Sequence, residues 1–281
     1  MTIQMTSFGM SHTGKHRLQN EDQYLIASEY HRDSGMFNRK GVRIPPMPSQ
    51  DPLLLAVSDG MGGHRGGSVA ANMAVTSLSE ASQAMLHQAA MGLNPIAEMK
   101  RIISEAHQNI LDAGEANANL YHMGATLTAA VVHTQHVWIA HVGDSRAYLL
   151  HNGHLQRLTR DHTLAELVGN ADGAGSNILW NCLGGRQAQD VEIDCLELTL
   201  EPNDRLLLCT DGLTSEVQGT AISNVLESYQ SAEAAQILVD LANEHGGHDN
   251  ITVIVCQASD SSELVEKPRQ STRKFRYCQL T

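Results

Sequence analysis

The chain has 281 residues, 42% of them hydrophobic but only 4% aromatic, and a formal net charge of −12. That balance excludes a general nucleic-acid binder, which needs a basic footprint. The absence of an apolar run of 18 residues, and of a basic-then-apolar N-terminal segment, gives no membrane span and no signal peptide, so the expected location is the cytoplasm. The five cysteines stand at 182, 195, 209, 256 and 278 without a Cys-x-x-Cys pair, which argues against a disulfide framework or a zinc site.

In chain order, an antiparallel β start is expected over 7–13 and 22–28. A Pro-rich, charged excursion at 31–52 leads to a strand at 53–58. A helix rich in Ala, Met and Leu is predicted from about 68 to 88. Asn94-Pro95 opens a second, whose apolar positions Ile96, Met99, Ile103, Ala106 and Ile110 recur at spacings of three and four. Strands return at 125–133, 137–142 and 147–151, and Asn152-Gly153 signals a hairpin into 155–158. Residues 161–180 are irregular and glycine-rich after a short helical piece. Strands at 191–200 and 205–210, a helix at about 231–244 and a strand at 250–257 complete the pattern. This order is not a regular βαβα alternation, so antiparallel sheets with helices packed outside are expected. No linker precedes residue 260: one domain over 1–260 is expected, followed by a flexible tail, 261–281. Residues 267–281 carry five basic side chains and no acid.

The chemistry lies at strand ends. Two apolar runs finish in Asp-Gly, at Asp59-Gly60 and Asp211-Gly212, and Asp249-Asn250 precedes the run 251–255. One Asp-Gly pair is ordinarily a turn. A set containing Asp22, Asp59, Asp144, Asp211 and Asp249 instead suggests a hard-cation site, because magnesium and manganese take oxygen ligands. Gly60, without a side chain, lets its carbonyl approach an ion closely. Two ions about 3.5–4 Å apart can activate water and neutralise a phosphoryl group. The glycine cluster 60–67 fits neither nucleotide loop: the dinucleotide pattern needs glycine where Arg65 stands, and no Gly-Lys-Ser/Thr tripeptide occurs.

Seven segments carry a resemblance. Gly14-x-x-Arg17-x-x-Asn20-Glu21-Asp22, Ser58-Asp59-Gly60-Met61-Gly62-Gly63-His64, Gly124-Ala125-Thr126-Leu127 and Gly143-Asp144-Ser145-Arg146-Ala147-Tyr148 are followed by Leu158-Thr159-x-Asp161-His162-Thr163, Thr210-Asp211-Gly212-Leu213 and Asp249-Asn250-Ile251-Thr252. In this order they resemble the bacterial type 2C metal-dependent serine/threonine protein phosphatases, over roughly residues 7–257. The resemblance implies an α+β fold, a four-layer α-β-β-α sandwich of two mostly antiparallel sheets flanked by helix pairs. It implies two Mg²⁺ or Mn²⁺ ions, bridged by Asp59, with Asp211 and Asp249 on the first and Asp22 plus the Gly60 carbonyl on the second. Asp144 would help hold a third ion, and Glu21 would act through water. Arg17 would hold the substrate phosphate, a task its planar fork of donors suits. His64, one of 15 histidines, would protonate the leaving serine or threonine oxygen after direct attack by a metal-bound hydroxide. His245 and His248, which flank the last acidic loop, are expected at the surface or behind the ligands.

The implied partners are phosphorylated proteins, and a serine/threonine kinase or its targets. Two other readings share the fold: a non-catalytic phosphoprotein binder and a phosphatase for small metabolites. The chain departs from its relatives at 164–180, where a longer, charged helical flap is usual and this sequence is short and glycine-rich.

Overall fold

The runs at 53–58 and 205–209 lack alternation because both of their faces are buried. Leu53, Leu55 and Val57 point into one core while Leu54 and Ala56 point into another. Likewise Leu206 and Leu208 share the core of the first set, and Leu207 and Cys209 face a third. A strand's side chains alternate between faces, so a strand covered on both sides must be apolar throughout. Such strands are the inner layers of a layered fold.

The computed structural model describes residues 3–28, 32–34, 47–49, 51–62, 66–169, 178–185 and 190–260. In chain order, β1 (Ile3–His12) and β2 (Gln23–Ser28) precede the short strands β3 (Arg32–Ser34) and β4 (Met47–Ser49), then β5 (Leu53–Ser58) and β6 (Gly60–Met61). Helices α1 (Gly66–Ala90) and α2 (Ile96–Ala116) follow, then β7 (Gly124–Ala125), β8 (Leu127–His133), β9 (His136–Val142), β10 (Arg146–His151) and β11 (His154–Arg157). After the single turn α3 (Leu164–Leu167) come β12 (Leu183–Gly184), β13 (Asp194–Thr199), β14 (Arg205–Cys209), α4 (Asp211–Thr214), α5 (Gly219–Ser228), α6 (Ser231–His245) and β15 (Ile251–Asp260).

One six-stranded sheet runs β11-β10-β14-β15-β1-β4 and a second runs β13-β9-β8-β5-β2-β3, with a small sheet β12-β7-β6 at their edge. The pairings are antiparallel. Tyr24, Ile26, Ile254 and Cys256 fill the space between the two large sheets. On the outside of the second sheet, Ala70, Ala74 and Leu78 of α1 pack on β2 and β5, and Met99, Ile103 and Ile110 of α2 complete the same core against α1, β9 and β12. On the outside of the first, Leu238 and Val239 of α6 pack on β1 and β15, and Ile222 and Leu226 of α5 complete the same core against α6, β10 and β11. The four-layer α-β-β-α sandwich expected from the sequence is the observed fold. Each fully buried Leu, Ile, Val or Met side chain among them contributes about 1.5–3 kcal/mol by leaving water.

The structure also corrects the sequence reading. The excursion at 31–52 is not all loop: β3 pairs with β2 and β4 with β1, at opposite sheet edges. The helix α5 was not anticipated, since Gly219, Thr220 and Ser223 weaken its local propensity and packing supplies the difference. The first strand begins at Ile3 and the last ends at Asp260, because β1 and β15 pair along their full lengths. The tail 261–281 lies outside the described residues. Among the described residues, no helix is long and apolar enough to cross a membrane.

Candidate active site

Antiparallel register brings the acids to one edge. Gln23 pairs with Ser58, so Asp22 enters β2 beside the point where Asp59 leaves β5. Arg146 pairs with Cys209 and Cys209 with Val253. Asp144 before β10, Asp211 after β14 and Asp249 before β15 therefore meet at the same end of the other sheet. Asp59, Gly60, Asp144, Asp211 and Asp249 line one cavity of about 320 Å³ together with Arg17. Asp22 lies behind them, 2% exposed. His64 lies outside the described residues.

The glycine cluster now has a backbone explanation. A Cβ at Gly60 would sit 2.2 Å from the carbonyl oxygen of Gly67, and one at Gly67 would sit 2.6 Å from the carbonyl oxygen of Gly60. The start of α1 thus backs onto the cavity wall at main-chain distance, which only glycine permits.

The carboxylates are poorly compensated. Burial, followed by the neighbouring Asp211 and Asp249, pushes Asp22 up to about 7, even though the Thr252 and Thr210 hydroxyls donate to its Oδ2 at 2.6 and 2.8 Å. Burial also lifts Asp144 to about 8, with Asp211 and Asp161 adding to the effect. Asp59 is held well above the usual carboxylate range by burial and then by Asp22, Asp211 and Asp144. Asp211 is raised by burial and by Asp249. Oδ1 of Asp22 and Oδ1 of Asp211 are buried without a hydrogen-bond partner.

Clustered, buried, unpaired carboxylates are costly unless protonated or neutralised by cations. Oxygen-only donors fit Mg²⁺ or Mn²⁺ and not a soft metal. No three His, Cys, Asp or Glu side chains among the described residues form a ready-made chelate. The acids surround an open cavity instead, which suits a cation that keeps several of its waters.

Other residues hold this edge together. Asn250 is one that the sequence reading passed over. Its Oδ1 accepts from the Glu21 N–H at 2.8 Å, and its Nδ2 donates to the carbonyls of Thr13 and Gln19 at 2.9 and 3.0 Å. Asn250 therefore pins the 13–21 loop, and Arg17 with it, to the Asp249 loop. Arg17 itself donates to Asp249 Oδ2 at 2.7 Å and is half exposed. Thr126 ties two acidic loops: its Oγ1 accepts from the Asp59 N–H at 2.9 Å and lies 2.6 Å from Ser145 Oγ.

Behind Asp144 stands His162, whose ring is fully buried. Its Nδ1 accepts from the Gly143 N–H at 3.1 Å and from Asn181 Nδ2 at 2.7 Å, and its Nε2 donates to Asp194 Oδ2 at 3.2 Å. Gly143 has a φ of +104°, and a Cβ there would fall 2.6 Å from Thr126 Cγ2. The only sequence signal for His162 was its place in the Asp161-His162-Thr163 segment. His248 stacks on His16 at 4.8 Å and lies 2.6 Å from Glu216 at the outer rim, and His245 reaches the Glu216 carbonyl at 3.0 Å.

A layered sandwich that gathers buried oxygen donors beneath an exposed guanidinium is built to hold hard cations against a phosphoryl group, the class of metal-dependent phosphate-ester hydrolases. The protein phosphatase 2C family model matches residues 30–245. The serine/threonine phosphatase stp of Listeria welshimeri is 35% identical over 270 residues, covering 92% of this chain and 96% of that one. Among solved structures, the catalytic domain of the serine/threonine protein phosphatase PstP in complex with two manganese ions superimposes with a TM-score of 0.71 at 28% identity, covering 92% of this chain and all of that one. The serine/threonine phosphatase Stp1 of Staphylococcus aureus gives 0.74 at 27% identity, over 89% of this chain and 94% of that one. The chain belongs to the protein phosphatase 2C family.

Proposed function

We propose that the chain is a metal-dependent protein serine/threonine phosphatase of bacterial signalling, with residues 1–260 as its catalytic unit. The observation that carries this reading is the convergence of five buried or half-buried donors, Asp59, Gly60, Asp144, Asp211 and Asp249, on one cavity that also contains Arg17. Asp59, Asp211, Asp249, Asp22 and the Gly60 carbonyl are the donors that would hold two Mg²⁺ or Mn²⁺ ions. Asp144 would help hold a third. When bound, such ions lower the pKa of water and neutralise developing phosphoryl charge.

The protein's own residues do the rest. Arg17 exchanges its Asp249 partner for the substrate phosphate and orients it by paired N–H donors. Asn250 keeps that arginine's loop at the cavity mouth. His64 delivers a proton to the departing serine or threonine oxygen. The substrates are phosphorylated proteins, with a serine/threonine kinase or its targets as partners and the cytoplasm as the site of action.

The test is the rate of manganese-dependent hydrolysis of a phosphoserine peptide by Asp211→Asn. The expected result is loss of turnover; near-parental turnover would sink the assignment.

A further inference from the structure

Nine large hydrophobic residues stand exposed among the described residues, and four of them gather at one place: Leu164 (40%), Leu167 (61%), Val168 (74%) and Ile178 (54%). Scattered apolar residues need no explanation, whereas a contiguous patch marks a contact surface. Leu164, Leu167 and Val168 are spaced i, i+3, i+4 and share one face of α3 and its C-cap. The Leu164 N–H donates to the Ile178 carbonyl at 2.8 Å, and Thr163 bridges to Leu179. Ile178 is thereby brought beside that face. Leu179, the next residue, lines the acidic cavity with Arg17 and Asp144. The patch thus begins at the cavity mouth.

Charges bordering it are consumed by one another. Arg157 pairs with Glu166 at 2.9 Å and with Asp161 at 3.5 Å, and Arg146 pairs with Asp161 at 2.6 Å. This rim therefore offers apolar contact and little net charge. Four side chains also present far less than the about 800 Å² per partner that a stable dimer buries. An occupant that needs only a small apolar foothold beside a phosphate pocket is the peptide segment flanking the phosphorylated residue.

We propose that Leu164, Leu167, Val168 and Ile178 form a subsite for an apolar side chain of the phosphopeptide, close in sequence to the phosphoserine or phosphothreonine. This rests on the phosphatase reading above. A peptide advances about 3.3 Å per residue, so positions one to four from the phosphoserine, on either side, bracket the reach. The subsite makes the enzyme selective by apolar contact next to the scissile group.

The experiment compares phosphoserine peptides that differ only by Leu or Ser at these positions, with p-nitrophenyl phosphate as an ester too small to reach the patch. The parent is expected to show a KM about tenfold lower for the best Leu peptide, the scale of a modest apolar pocket. Leu167→Ser with Val168→Ser, both at exposed positions, should erase that difference and leave p-nitrophenyl phosphate turnover unchanged. Hydrolysis of all peptides with equal KM would overturn the subsite while sparing the phosphatase reading. So would a preference that survives the double substitution, or a change of equal size on the small ester. A dimer in sedimentation that the double substitution dissolves would assign the patch to a second copy and overturn the proposal. No hydrolysis of any ester would overturn the phosphatase reading and the subsite with it.

Discussion

On one side of the Gly143–Ser145 turn the polar groups are only partly satisfied, and on the other they are paired. Asp22, Asp59, Asp144 and Asp211 crowd together, and two of their oxygens are buried without a hydrogen bond. A few residues away, His162 engages both ring nitrogens. So does its neighbour His141, whose Nε2 donates to the Arg160 carbonyl at 3.0 Å and whose Nδ1 lies 2.9 Å from Thr128 Oγ1. The two rings stand 4.9 Å apart, and Trp180 covers His162 at 5.1 Å. A buried polar network that is complete rigidifies its surroundings, while an incomplete one stores unfavourable free energy. The acids therefore stand to gain from a bound cation, and the paired histidines do not.

The strongest way to break this contrast is Asp59→Asn. Turnover on a phosphoserine peptide should fall by about a thousandfold or more, since several kcal/mol of metal-assisted stabilisation are lost. In chelator, however, the variant should melt a few degrees higher than the parent, because a charge repelled by Asp22, Asp211 and Asp144 is gone. Calorimetry of the metal-free protein checks this, and a lower melting temperature would end the comparison.

His162→Ala should act in the opposite direction on stability. It leaves the Gly143 N–H, the Asn181 amide and Asp194 without their ring partner and opens a void. The expected cost is about 2–4 kcal/mol in urea unfolding.

His141 separates the two clusters by pH. Burial first, then His162, lowers its pKa to about 4 from 6.5. The unfolded chain therefore takes up a proton below pH 6.5 that the folded ring resists, so the neutral ring's stability is complete above pH 6.5 and is lost as pH falls toward 4. The drop is about 3 kcal/mol at most. The difference in unfolding free energy between parent and His141→Gln should change by this amount across that window, and a difference that stays flat would show a ring that protonates freely in the fold.

The smallest effect is expected at Thr210→Val. Asp22 Oδ2 would lose the donor at 2.8 Å, which favours its protonated form, so a cation must compete harder with the proton. Calorimetric Mn²⁺ affinity near pH 7 should weaken about fivefold, the equivalent of one hydrogen bond of about 1 kcal/mol.

Much of this architecture was readable in advance. Asp59 and Asp211 stood at the ends of uniformly apolar runs, which read as buried strands delivering a carboxylate. The ordered acidic segments carried the family resemblance, and Asn152-Gly153 marked its hairpin. The short strands β3 and β4 and the helix α5 were not readable, since neighbours far along the chain stabilise them more than local propensity does. Nor was Asn250, whose bond to Glu21 spans 229 residues, nor the partnership of His162 with Asp194, 32 residues apart.

The amino-acid order alone determined that the apolar runs are buried strands, that acids cap them, and that a hard cation suits those acids. Both properties live in the residues themselves, as hydrophobic period and donor chemistry. Only the tertiary structure decided that four acid-bearing strand ends meet in a single cavity, that Asp22 sits behind it rather than in its wall, and that an apolar patch borders its mouth. These depend on antiparallel register and on long-range hydrogen bonds, which arise between segments and have no signature within any one of them.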